Sequence, residues 1–220
     1  MALSTYIELQ AAIRSEVHKT TAGLPDTVIV DAITRAESKV NRRCRLRSME
    51  TLQESTLNPG TRFLALPAGY LELLSMQAKV STASDSTYER VPYVEPAQIH
   101  RYYDDTQTLR FTLRDGYEFN REVSAAHTIR QHYLKRFDIA SDSTNWLLTN
   151  FPDVYLYGAL AECEMHVVND KRIPLWKAYF DEGIAEVNEL DERGRDDAEL
   201  DTSEIGYMAG THRFNILTGY

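Results

Sequence analysis

A chain of 220 residues suits one compact domain or two small ones, and 43% apolar with 26% charged residues is an ordinary globular composition. The net charge of −9 argues against a free-standing protein that wraps DNA by neutralising phosphates, whereas an acidic wall would suit a conduit through which DNA slides. No run approaches about 18 apolar residues, so no membrane span is expected. No basic and apolar leader opens the chain, and Cys44 and Cys163 are too few for a disulfide framework, so a reducing compartment is expected.

The first element reads as a helix. Thr5 and Glu8 have capping-box spacing, and Tyr6, Leu9, Ile13 and Val17 recur at helical steps. Gly23 suits its end, and Pro25 with Asp26 suits the start of a second helix, whose stripe is Ile29, Ile33, Ala36 and Val40. The short connection implies an antiparallel pair over residues 3–44. The period then changes. CRLRSMETLQ alternates from Leu46 onward as a half-buried strand does, Asn58-Pro59-Gly60 is a turn, and FLALP and LELLSMQAKV are strand-like. STASDSTYE reads as an exposed hairpin tip and EPAQIHRYY as a short helix. Asp115-Gly116 between alternating flanks predicts a type I′ hairpin, and HTIRQHYLKRF alternates again.

Helical spacing returns with TNWLLTNFPDVYLYGALAECEMHV, where Asn150 and Pro152 suit a helix start and Tyr155, Ala159, Cys163 and Val167 keep four-residue steps. A last helix follows near Lys171, with Ile173, Trp176, Phe180, Ile184, Val187 and Leu190 as its buried face. The expected class is α+β: a helical bundle of two N-terminal and two C-terminal helices, with an inserted antiparallel β region and an extended C-terminal arm. Residues 1–45 and 138–194 would form a helical core domain, 46–137 an inserted β domain, and 195–220 the arm.

Chemistry is sparse. Glu162, Cys163 and His166 are close enough on a helix to share a face, but a closed metal site needs more ligands, and packing is the better reading of this stretch. No nucleophile elbow, zinc-protease, phosphate-loop or dinucleotide motif occurs, and the carboxylate pairs Asp181-Glu182 and Asp196-Asp197 sit in a solvated charge run. No cofactor, metal or catalytic residue is expected. The basic run Arg35, Lys39, Arg42, Arg43, Arg45 and Arg47 stands against a single Glu37. Cations at a helix C-terminus are favoured by its dipole, and the alternative is a contact with DNA or an acidic partner surface. The acidic run EVNELDERGRDDAELDTSE is the opposite pole, and the two together suit head-to-tail contacts between copies.

Three segments carry a likeness to a known family: LPDTVIVDAITRAESKVNRRCRLRSME, FLALPAGYLELLSM, and TNWLLTNFPDVYLYGALAE followed by a helix ending NELDERGR. Over residues 3–195 the chain resembles the head-to-tail adaptor, or head-completion, proteins of tailed bacteriophages. The large β insertion makes it more similar to the short-tailed type. The resemblance implies a structural virion protein without catalytic activity, in a ring of twelve copies beneath the portal. Such a ring extends the DNA channel, helps retain packaged double-stranded DNA and carries the tail or nozzle. The implied partners are the portal ring, tail or nozzle proteins and other copies of this chain, and the implied location is the virion neck, with the host cytoplasm during assembly. Within the arm, Ile205, Tyr207, Met208, Phe214, Ile216, Leu217 and Tyr220 are the expected portal-binding residues. The basic run Arg35 to Arg47 is the candidate channel or inter-subunit cluster. A tail-side nozzle or stopper component, a virion-associated hydrolase and a metal-binding helical domain are the alternatives.

Overall fold

In the computed structural model, the described residues are 3–17, 23–81, 87–103, 105, 107–163 and 171–196. Helices α1 (Tyr6–Val17) and α2 (Asp26–Arg43) come first. Among the described residues seven strands follow: β1 (Glu50–Leu57), β2 (Phe63–Leu64), β3 (Tyr70–Val80), β4 (Glu89–Arg90), β5 (Phe111–Leu113), β6 (Tyr117–Phe119) and β7 (His127–Lys135). Short helices α3 (Ile139–Asp142) and α4 (Trp146–Asn150) then lead to α5 (Pro152–Glu162) and α6 (Ile173–Asp196). Helices at both ends and antiparallel strands between them make the chain α+β.

The capping box at α1 is reciprocal. Glu8 N–H donates to Thr5 Oγ1 at 3.3 Å, and the Glu8 carboxylate accepts from the Ser4 and Thr5 amides at 2.8 and 3.0 Å. Those bonds also hold the Glu8 carboxyl below its usual range. The stripes Leu9, Ile13, Val17 and Ile29, Ile33, Ala36, Val40 are buried as their spacing requires. Helix α5 is the hub, packing against α1, α2, α4 and α6. Its small residues allow this, because a Cβ on Gly158 would lie 2.7 Å from Phe180 Cε2 and 3.0 Å from Ala36 Cβ. On α6, Ile173 to Val187 are buried as expected, but Leu190 is 45% exposed. The helix has passed beyond α5 by then, and Asp191 turns to Arg47 instead.

The strands form two antiparallel sheets, ordered β1-β7-β3-β4 and β2-β6-β5. Leu57, Met76, Ala78 and Ile129 of the first meet Phe111, Tyr117 and Phe119 of the second, with Val123 from the segment after β6, in one apolar cluster. The helical cluster is separate and takes in Leu46, Met49, Leu134 and Phe137. That explains one departure from the alternation: Arg47–Met49 is a 3-10 turn, not strand, so that Leu46 and Met49 both drop into the helical core. The strand starts only at Glu50.

Turn chemistry divides. Asn58-Pro59-Gly60-Thr61 closes with a Thr61 N–H to Asn58 O bond of 3.2 Å and Gly60 at φ +72°, the type II pattern. The Asp115-Gly116 hairpin exists, but neither residue has positive φ, so it is not type I′. Leu113 pairs with Tyr117 across a three-residue loop. Gly116 is needed for space: a Cβ there would lie 2.8 Å from Leu64 O of β2. The EPAQIHRYY helix is a single 3-10 turn, Ile99–Tyr102. The tip of the β3–β4 hairpin, residues 82–86, lies outside the described residues. Asn145, not Asn150, does the capping before α5: its Oδ1 accepts from Leu148 N–H at 2.8 Å and starts α4. Helix α5 then begins at Pro152 with no side-chain cap.

Candidate assembly surfaces

The basic run lies where α2 ends, and most of it is paired within the chain. Lys39 meets Glu162 of α5. Arg43 meets Asp181 of α6 at 2.5 Å and lies 5.9 Å from the Phe180 ring. Arg45 reaches Glu72 of β3 at 2.8 Å. Arg47 donates from its amide to Asp191 at 2.9 Å and from Nη1 to Gly194 O at 2.8 Å, tying the end of α6 to the approach to β1. Arg35 and Arg42 are exposed and form no ion pair with a described residue. The cluster thus fastens α5, α6 and β3 to the end of α2 and leaves two cations facing outward.

Glu37 does not offset that charge, because it points inward. Its Oε1 accepts from Tyr155 O–H at 2.7 Å and Ile139 N–H at 2.9 Å. One turn on, the Asn41 amide pairs with both backbone groups of Phe137, at 2.9 and 3.0 Å, as a neighbouring strand would. Tyr155 O–H in turn accepts from Asn145 Nδ2 at 2.7 Å. This buried network joins the exit of β7 to α2 and α5. Burial pushes the Glu37 carboxyl up from 4.5, more than its two hydrogen bonds pull it down. Burial, with the Glu37 charge beside it, pushes the Tyr155 phenol far up. The signal in the sequence was a polar pair, 37 and 41, at helical spacing beside the apolar stripe.

The Glu162, Cys163, His166 set resolves only in part, since His166 lies outside the described residues. Glu162 is committed to Lys39, and Cys163 is fully buried where α5 ends. Burial raises the Cys44 and Cys163 thiols to about 11, so neither is a ready thiolate. Among the described residues no group of three His, Cys, Asp or Glu could hold a metal ion, and no helix is long and apolar enough to cross a membrane.

Two open hollows flank β4. One, of about 330 Å³, lies along the first half of β3 and is lined by Leu73, Leu74, Met76, Val91, Tyr93 and Phe111. Strand β4 covers only Gln77 and Ala78 of the β3 edge opposite β7, so over residues 70–75 that edge carries no strand among the described residues. Leu74, pushed out by a register shift, is 45% exposed and Tyr93 is 56% exposed. The other hollow, of about 380 Å³, lies at the far end of β3 and is lined by Lys79, Arg90, Arg121 and His127, with Glu89 the acid among them. Neither hollow was legible beforehand, since each is assembled from segments far apart in sequence.

The expected portal-binding residues Ile205, Tyr207, Met208, Phe214, Ile216, Leu217 and Tyr220 lie outside the described residues. No curated protein matches the chain significantly. Residues 4–202 match the family model described as SU10 adaptor protein. With most of the chain covered, it belongs to the SU10 adaptor family, a family of phage head-to-tail adaptors.

Proposed function

We propose that this chain is a structural component of the virion neck. It docks as a ring of copies beneath the portal, extends the DNA channel and gives the tail or nozzle its platform. The observation that carries this reading is the family match over residues 4–202. Twelve copies would match the symmetry that the resemblance implies. The helices, with α5 as hub, supply a rigid wedge, and the sheets hang from it through the Glu37 and Asn41 network. Identical copies of a chain with net charge −9 around an axis would give a channel that duplex DNA does not adhere to.

The portal contact is assigned to the arm, through Ile205, Tyr207, Met208, Phe214, Ile216, Leu217 and Tyr220. Truncation after Arg195 is expected to abolish capture by immobilised portal rings while leaving the thermal unfolding midpoint unchanged. Undiminished capture removes the arm from portal binding, and copurification with tail proteins alone would favour the nozzle or stopper reading.

Arg35 and Arg42, exposed and without an ion pair among the described residues, are the members of the basic cluster we assign to a neighbouring copy or to DNA. Charge reversal of both (R35E with R42E) is expected to shift folding stability by no more than about 0.5 kcal/mol, as exposed substitutions do. It is expected to reduce ring occupancy on the portal in electron micrographs. Full rings with normal DNA retention would assign the cluster to intramolecular fastening only.

A further inference from the structure

We propose that the first half of the C-terminal segment, residues 197–208, docks along β3 of a second copy of this chain. The acidic residues would face the basic hollow and the apolar ones would enter the groove. This inference goes beyond the adaptor reading: it moves Ile205, Tyr207 and Met208 from the portal contact to the neighbouring copy and leaves Phe214, Ile216, Leu217 and Tyr220 for the portal.

The argument rests on order. Along β3 the surface is basic at the Lys79 end and apolar at the Leu74 end, with Arg90 and Val91 lining both hollows. Along the segment, Asp197, Glu199, Asp201 and Glu204 come first, then Ile205, Tyr207 and Met208. An extended chain rises roughly 3.3 Å per residue, so 199–208 is long enough to cross over β4, which holds the β3 edge at Gln77 and Ala78, and to reach from the Val80 end of β3 to the Leu71 end. Acids then meet Lys79, Arg90 and Arg121, and apolar side chains meet Leu74, Tyr93 and Phe111. The hollow has charge to spare for an anion: neither Arg90 nor Arg121 forms an ion pair with a described residue. DNA would satisfy the cations but not the apolar groove beside them, and an acidic-then-apolar peptide satisfies both.

The same order points to a second copy over the chain's own segment. Helix α6 ends beside Arg47, which holds Gly194 O at 2.8 Å, and Arg45 spans from there to Glu72 at 2.8 Å. The segment therefore leaves near the apolar end of its own groove, where its acids would arrive first. Only a chain entering from the Lys79 end meets the two surfaces in the right sequence.

The test uses the full chain. Leu74→Cys is prepared in a tagged chain and Tyr207→Cys in an untagged one, and the mixture is treated with a short bismaleimide. The native thiols are buried and serve as the unmodified background. The expected result is a cross-linked pair on a denaturing gel, reduced at least about tenfold by charge reversal of the hollow (K79E with R90E) and by salt that shortens the screening length to about 3 Å. Tyr93→Cys, at another exposed position on the rim, repeats the measurement if Leu74→Cys misfolds. Absence of a pair from both rim positions overturns the proposal. So does a pair indifferent to charge reversal, or an internal cross-link alone when both cysteines are in one chain. Portal capture measured on the same variants separates the two readings, since the adaptor role survives if capture persists without cross-linking.

Discussion

Replacing Glu37 with leucine is expected to destabilise the fold by roughly 2–5 kcal/mol, measured as a fall in the urea midpoint at unchanged slope. The reason is the position of the bonds. Glu37 Oε1 is the acceptor for both Tyr155 O–H and Ile139 N–H, and all three groups are buried. Leucine removes the acceptor and leaves two donors dry, each worth about 1–3 kcal/mol when unsatisfied. Glutamine is the discriminating control. Its carbonyl oxygen can take both bonds, so Glu37→Gln is expected to lose far less than Glu37→Leu. Equal losses would mean that the pocket is sensitive to any change there, and that the two accepted bonds are not what holds it.

The same residue makes stability depend on pH in a direction opposite to that of most carboxylates. Burial raises the folded-state carboxyl above 4.5, so the folded chain binds this proton more tightly than the unfolded chain. The resulting contribution is fully present below about 4.5, the unfolded value, and is lost as pH rises through the raised folded value. Glu8, Glu54 and Asp105, each lowered by hydrogen bonds, work the other way and lose their contribution as pH falls. Total acid stability therefore mixes both. The difference between wild type and Glu37→Gln isolates one: wild type should gain on the glutamine variant as pH falls towards 4.5. A flat difference would mean that the carboxylate is already well solvated or compensated.

Local patterns predicted the helices because each helix buries one stripe, and a stripe is visible in one segment of sequence. Leu9, Ile13 and Val17, or Ile29, Ile33 and Val40, need no partner to be recognised. The α+β class followed from the change of period near residue 46. Failures occurred where tertiary packing outweighed local preference. The stretch CRLRSMETLQ reads as a strand, in which Leu46 and Met49 would face opposite sides, yet both belong to the helical core, and a 3-10 turn is the backbone that puts them there. Asp115-Gly116 carried the signal for one turn, whereas the approach of β2 fixed another. The candidate surfaces were harder still. The arginines at the end of α2 look like a free basic patch until Glu72, Glu162, Asp181 and Asp191 arrive from three other elements. The two hollows beside β4 combine side chains from β3, β4, β5, the start of β7 and the loops between, and no single window holds both charge and groove. Family membership was accessible early because the order of packing and turn residues persists where individual contacts cannot be read.

Gly158→Val should destabilise the helical layer by about 3 kcal/mol, at the upper end of ordinary overpacking. Glycine within a helix is normally unfavourable by about 1 kcal/mol relative to alanine, so its presence in α5 calls for a reason. The reason is the meeting of three helices. A Cβ at 158 would lie 2.7 and 2.8 Å from the Phe180 ring of α6 and 3.0 Å from Ala36 Cβ of α2. Neither neighbour yields easily. The ring is buried among the helical core residues, and Ala36 Cβ moves only with its backbone. Alanine at 158 regains the propensity and adds the Cβ contacts with Phe180 and Ala36 but nothing beyond them, so its net change should be smaller than that of valine, whose branched methyls must also fit. Gly194→Ala is the control on α6: a Cβ there would meet the end of the Arg47 side chain, which can swing away by giving up its exposed hydrogen bond to Gly194 O, a loss offset by the better helix propensity of alanine. That substitution should be near neutral by denaturant midpoint, and the contrast between the positions measures how closely α2, α5 and α6 must approach. If the wedge they form sets the angle between neighbouring copies, a valine variant stabilised at low temperature should still assemble poorly on portal rings. Normal rings from that variant would show that assembly tolerates a wider helix crossing than the free fold does.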